Sequence, residues 1–170
     1  MNRIFISYRR EDSMEQTIVI RDILTHRFGN DRVFWDVVTL EYGEDYRARI
    51  SHEIAHAAVQ LVVIGSKWLT ITNERGVRIQ QPDDIIVCEV ATALRSGIPI
   101  IPLIVNGADF LKESDMSGLP ECIRPLAMRN GQLLRHNDPA HFKADLDDVI
   151  QRKIAPLIDD LDFVHRVFGE

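Results

Sequence analysis

The 170-residue sequence has only two cysteines, Cys88 and Cys122. A small secreted domain stapled by disulfides carries more, so the pair fits a reduced compartment, and its spacing matches no metal knuckle. Long apolar runs are missing too. Met1 to Tyr8 gives way at once to Arg9, Arg10, Glu11 and Asp12, which is no signal peptide. No segment approaches the length needed to span a bilayer, so no membrane role is expected. Positive charge is in deficit: the net charge is −6, which argues against binding along a nucleic-acid backbone. These absences together predict a soluble, cytoplasmic protein. At this length it forms one well-filled domain rather than two.

Familiar nucleotide and hydrolase signatures are also lacking. The first apolar run continues as Ser7–Tyr8–Arg9–Arg10, with no glycine-rich turn, no Walker-type lysine loop and no G-x-S-x-G elbow anywhere. A Rossmann dehydrogenase, a P-loop NTPase and an α/β-hydrolase are thereby set aside.

What is present is an ordinary globular composition, 45% hydrophobic and 27% charged, arranged as short apolar runs alternating with segments of helical period. Ile4–Ile6 reads as a first strand and the stretch from Met14 as a helix, stopped by Gly29–Asn30. Val33–Trp35 reads as a second strand, followed by a polar loop through Glu41 and Gly43. A helix with Tyr46, Ile50, Ile54 and Ala57 on one stripe comes next. The continuous run Val59–Ile64 suits a strand buried on both faces. Asn73–Asp84 reads as a loop, Asp84–Ser96 as a helix ended by Gly97, and Ile98–Val105 as a strand whose prolines mark an end or an edge. A short helix near Ile123–Met128, a weak strand at Gln132–Leu134 and a helix from Pro139 to Ile154 complete the series. Repeated β-α alternation predicts a doubly wound parallel sheet, with ligands beyond the carboxyl ends of the strands where their order reverses. The domain is placed at 1–156. Residues 157–170, with Leu161, Phe163, Val164, Val167 and Phe168, read either as an added helix or as the start of a linker.

His52–Glu53–Ile54–Ala55–His56 satisfies the H-E-x-x-H pattern of zinc peptidases. However, Ile50, Ile54 and Ala57 already define a core face, and at 100° per residue both histidines fall nearly opposite it. No third ligand is apparent, so no metal site is expected and a zinc peptidase is the remote alternative.

Several segments resemble bacterial TIR (Toll/interleukin-1 receptor) domains in register. They are Phe5–Asp12, Val33–Asp36 with Leu40–Asp45, Leu61–Gly65 with Trp68–Leu69, Cys88–Leu94 with Gly97–Pro102, Leu119–Pro120 and Arg129–Gly131. The resemblance spans about residues 2–155. It implies a flavodoxin-like α/β fold with a five-stranded parallel sheet in the order 2-1-3-4-5 and helices on both faces.

TIR domains either assemble as signalling scaffolds or cleave NAD at its nicotinamide bond, giving linear or cyclic ADP-ribose. The resemblance implies that Glu89 is the catalytic carboxylate, with NAD as substrate and no cofactor. It implies binding roles for Tyr8, Arg9, Arg10, Trp35, Asp36 and Ile85, and places Glu41 and Gly43 in a BB loop that gates the pocket and contacts other TIR domains. Activity would depend on that homo-oligomer and on a fused or separate sensor, in antiphage defence or signalling. Periodicity alone puts Glu89 roughly opposite the Val87, Val90, Ala91 and Leu94 stripe, as a solvated glutamate would be. Catalytic relatives carry an aromatic four residues earlier; Ile85 stands there, leaving Tyr8 or Trp35 as other aromatic candidates. Arginines suit the NAD phosphates, whereas the bland reading of Arg9 and Arg10 is a surface cluster paired with Glu11 and Asp12.

Overall fold

The computed structural model of the chain describes residues 3–35 and 46–159. Its centre is β3 (Ala57–Ile64), in which every residue is buried. Parallel to it on one side runs β1 (Arg3–Ser7), followed outward by β2 (Val33–Phe34). On the other side lie β6 (Ile100–Ile104) and β7 (Gln132–Leu133). The remaining strands, β4 (Thr72–Asn73) and β5 (Gly76–Val77), form a separate antiparallel hairpin. The sheet order is thus β2-β1-β3-β6-β7. It differs from the expected 2-1-3-4-5 because the hairpin, read from sequence as part of a polar loop, takes two places in the count. Gly76 at φ +107° makes its turn, a conformation that side chains with a Cβ resist.

Side-chain alternation divides the core into two layers. Ile4, Ile6, Val59, Leu61 and Val63 pack toward Ile20 and Leu24 of α1 (Arg10–Phe28) and Leu146 and Val149 of α4 (Pro139–Val149). Phe5, Val62 and Ile64 face the other way. They meet Ile50 and Ile54 of α2 (Tyr46–Ala55) and Val87 and Val90 of α3 (Ile85–Arg95).

Several boundaries differ from the sequence reading for local reasons. Helix α1 begins at Arg10, before Met14, and kinks at Ser13 (φ −143°). Ala57 belongs to β3 rather than to the preceding helix, because the chain passes from α2 to the strand through His56 alone. The short helix near residue 123 is a 3-10 segment, Glu121–Met128, tightened around Pro125. Pro102 lies inside β6, where pairing with β7 begins only at Leu103, so its missing N–H breaks no ladder bond to that neighbour. Beyond α4 one π-helical turn, Ile150–Ile154, leads into further helix over 155–159, and Ile158 is buried in the α1–α4 layer. Among the described residues no helix is long and apolar enough to cross a membrane.

The loop after β7 is tied to α4 by Asp145. Its carboxylate accepts the Arg135 backbone N–H at 2.9 Å and the Arg135 guanidinium at 2.7 Å. The side-chain hydrogen bond from Arg135 is the largest influence holding the Asp145 carboxyl below its usual range, against an opposing effect of burial. A carboxyl that titrates lower in the fold than in the unfolded chain stabilises the fold at neutral pH, and that contribution fades as pH falls through the depressed value. Asp145→Asn should therefore lower stability by about 1 kcal/mol at pH 7, a modest figure because Arg135 is half exposed. The gap between variant and wild type should narrow as the solution is acidified, measured by urea unfolding at neutral and at acidic pH.

Candidate functional site

The sheet order reverses between β1 and β3, and a set of buried polar side chains gathers at the carboxyl ends of these two strands. Arg9 lies two residues beyond β1, at the N-cap of α1. Its side chain is 1% exposed, and its two terminal nitrogens reach the two oxygens of Asp84 at 3.1 and 2.8 Å. Asp84 is also the N-cap of α3, accepting the backbone N–H groups of Ile86 at 3.1 Å and Val87 at 3.4 Å. Arg78 adds a contact at 3.3 Å and reaches back to Glu11 at 3.2 Å. The Trp68 ring lies beside the Arg9 guanidinium, 5.9 Å from ring centroid to Cζ.

A second carboxylate ties the exits of the two strands together. Asp12 accepts the backbone N–H groups of Gly65 and Lys67, each at 2.7 Å. A Cβ on Gly65 would stand 2.6 Å from an Asp12 oxygen, so the approach requires glycine. Beneath these contacts Gln60, wholly buried in the middle of β3, donates to Ser7 Oγ at 2.7 Å. Gln60 Oε1, Trp68 Nε1 and Arg9 Nε carry no hydrogen bond, which is uncommon for buried polar atoms.

Helix α3 starts from this cluster, and Glu89 lies on its second turn. Glu89 is 6% exposed, not the solvated charge its periodicity suggests. The cause is tertiary. The sheet covers one side of α3, while α2 and the Glu121–Met128 segment flank it, so Ile86, Val87, Glu89, Val90, Ala91 and Ala93 are all buried. Ile85, one turn earlier, is 37% exposed. It lines a cleft of about 390 Å³ with Ile50, Ser51, Cys88, Thr92 and Cys122, but without Glu89.

The other expected residues divide between places. Tyr8 and Trp35 stack on each other, with centroids 5.8 Å apart and planes at 18°, and Arg21 lies over the Trp35 ring. Both aromatics pack into the α1–α4 layer, opposite to the layer of α3. Arg10 is exposed at the start of α1. Asp36, Glu41 and Gly43 lie outside the described residues. The surface-cluster reading of the arginines needs correcting for Arg9, whose partner is Asp84, while Glu11 meets Arg78 and Asp12 meets backbone.

His52 and His56 are exposed on α2 and just beyond it, as their position opposite the core face predicts. Glu53, which would activate water in a peptidase, is engaged by Arg3. No group of three metal-ligating side chains occurs among the described residues. Sequence reasoning missed Asp12, Gln60, Trp68 and the pairing of Asp84. Only Asp84 had a local signal, as a capping residue before an apolar run.

No family model and no curated protein matches the sequence. Among solved structures the chain is similar to the TIR domains in the activated Roq1 resistosome directly recognizing the pathogen effector XopQ. The likeness has a TM-score of 0.62 at 12% identity and covers 89% of this chain and 98% of that one. The fold is that of a TIR domain. In this TIR fold the Arg9–Asp84 pair joins the end of β1 to the start of the helix that carries Glu89. Removing one partner of a buried pair leaves the other charge uncompensated. Arg9→Ala should cost about 3–5 kcal/mol in denaturant unfolding, well above the effect of Arg10→Ala at the neighbouring exposed position.

Proposed function

We propose that this TIR domain cleaves NAD at the bond between nicotinamide and ribose, with Glu89 as the catalytic carboxylate. The observation that carries the reading is the burial of Glu89 on the helix whose start Asp84 and Arg9 fix. A carboxylate removed from bulk water acts more strongly on a developing positive charge than a surface one does.

The chemistry needs one such group. The C1′–N bond breaks with its electron pair going to the ring nitrogen, so cationic nicotinamide departs neutral and needs no general acid. The ribose becomes oxocarbenium-like, and the Glu89 carboxylate stabilises that charge. Water then adds to C1′ and loses a proton, giving ADP-ribose; attack by an atom of the same ADP-ribose gives a ring instead.

Within this reading Arg10, exposed beyond β1, meets the phosphates, whereas Arg9 supports the site through Asp84. Ile85 borders the pocket without offering an aromatic face. Tyr8 and Trp35, packed in the opposite layer, give this pocket no aromatic face, and Asp36, Glu41 and Gly43 are assigned to the pocket and its gating loop. Self-association with other TIR domains through that loop completes the active arrangement, under a sensor that is fused or separate. The biological setting is antiphage defence or signalling in the cytoplasm of a bacterium.

A second reading is a non-catalytic scaffold. It is favoured by Ile85 at the pocket border and by the occurrence of the similar TIR domains in a resistosome. Concentrated wild-type protein incubated with NAD should release nicotinamide, resolved by chromatography. Glu89→Gln, nearly isosteric and therefore gentle on packing, should lower the rate by about 100-fold or more. Equal rates would remove Glu89 from the mechanism. No turnover by wild type under assembly-promoting conditions would favour the scaffold.

A further inference from the structure

The H-E-x-x-H segment is left unused by the NAD reading, yet its two histidines are arranged for another task. His52 and His56 are one helical turn apart, and their ring centroids are 4.3 Å apart with planes inclined at 40°. Both rings are exposed, so ligation would cost little desolvation of neighbouring groups. His56 Nδ1 lies 2.7 Å from the His52 carbonyl oxygen. A carbonyl only accepts, so Nδ1 carries the proton and donates it, leaving Nε2 with a free lone pair. A main-chain acceptor on the far ring nitrogen is the arrangement that orients histidines at metal centres and raises their basicity.

We propose that His52 and His56 form a two-imidazole chelate for a late first-row divalent cation, with water filling the remaining positions. The class follows from the donors. Neutral imidazoles suit nickel, copper and zinc, whereas magnesium and calcium require several oxygens. Glu53 is turned to Arg3 and supplies no ligand, which separates this surface chelate from a peptidase centre. The site was not expected from sequence because that reading asked for a third protein ligand, which catalysis needs and simple chelation does not.

Calorimetric titration of the full chain with Ni²⁺, at neutral pH in a non-coordinating buffer, tests the proposal. Wild type should bind one Ni²⁺ per chain at this site and give no such heat with Mg²⁺. His52→Ala and His56→Ala should each weaken binding by roughly tenfold or more. His141→Ala, a histidine on α4, should leave it unchanged. His56→Gln keeps a hydrogen-bonding group at the end of α2, and circular dichroism confirms that each variant is folded. Wild-type affinity in folded His52→Ala and His56→Gln, or no Ni²⁺ binding by wild type, would overturn the chelate. Neither outcome depends on whether Glu89 cleaves NAD.

Discussion

The buried pair of Arg9 and Asp84 is the contact on which the arrangement of the switch point depends. Burying two charges is expensive, and their attraction offsets that cost only when geometry is good and the remaining polar sites are satisfied. Both conditions are largely met here. The guanidinium meets the carboxylate in bidentate fashion, and the same carboxylate accepts two backbone N–H groups of α3 and a contact from Arg78. One aspartate thus caps α3 and neutralises Arg9, which leads from β1 into α1. A hydrophobic replacement of similar volume would satisfy packing, but it would leave the first N–H groups of α3 without their acceptor. Specific placement of α3 is therefore what this pair supplies beyond any net stability.

That placement determines the environment of Glu89. Helix α3 is tied at its start by Asp84, backed by the sheet, and flanked by α2 and the Glu121–Met128 segment. A glutamate roughly opposite the apolar stripe is consequently buried by its neighbours instead of facing solvent. Asp12 fixes the opposite wall of the same region by holding the exit of β3 through Gly65 and Lys67. Two carboxylates spent on backbone and arginine thus fix the exit of β3 and the start of α3.

How much of this was legible in the sequence follows the range of the forces involved. The sheet strands, the four helices and the stop at Gly97 depend on local periodicity and capping, and they were readable within a residue or a few. The hairpin at Thr72–Val77 was not, since two-residue strands have no period to detect. Burial of Glu89 was not, because it depends on neighbours contributed by α2 and by residues 121–128. The partner of Arg9 is hidden for the same reason. Its adjacent acids, Glu11 and Asp12, looked like partners, whereas the true partner lies 75 residues away. The TIR resemblance supplied the topology and singled out Glu89, but a shared pattern cannot tell which arginine of a pair is structural.

The two motifs of the chain also show why residue type and spacing underdetermine chemistry. H-E-x-x-H is present to the letter, yet its glutamate faces Arg3 and its histidines face solvent, an arrangement unlike that of a peptidase centre. Glu89 has no motif of its own; it is a single acid in an apolar helix. Its candidacy rests on exclusion from water and on a reaction whose leaving group is already cationic. For that reaction a second carboxylate would offer no needed proton, and a metal would repel the positive charge that develops on the ribose. Under the proposed reading one buried acid suffices for the electrostatics of the step, and Glu89 on α3 is buried.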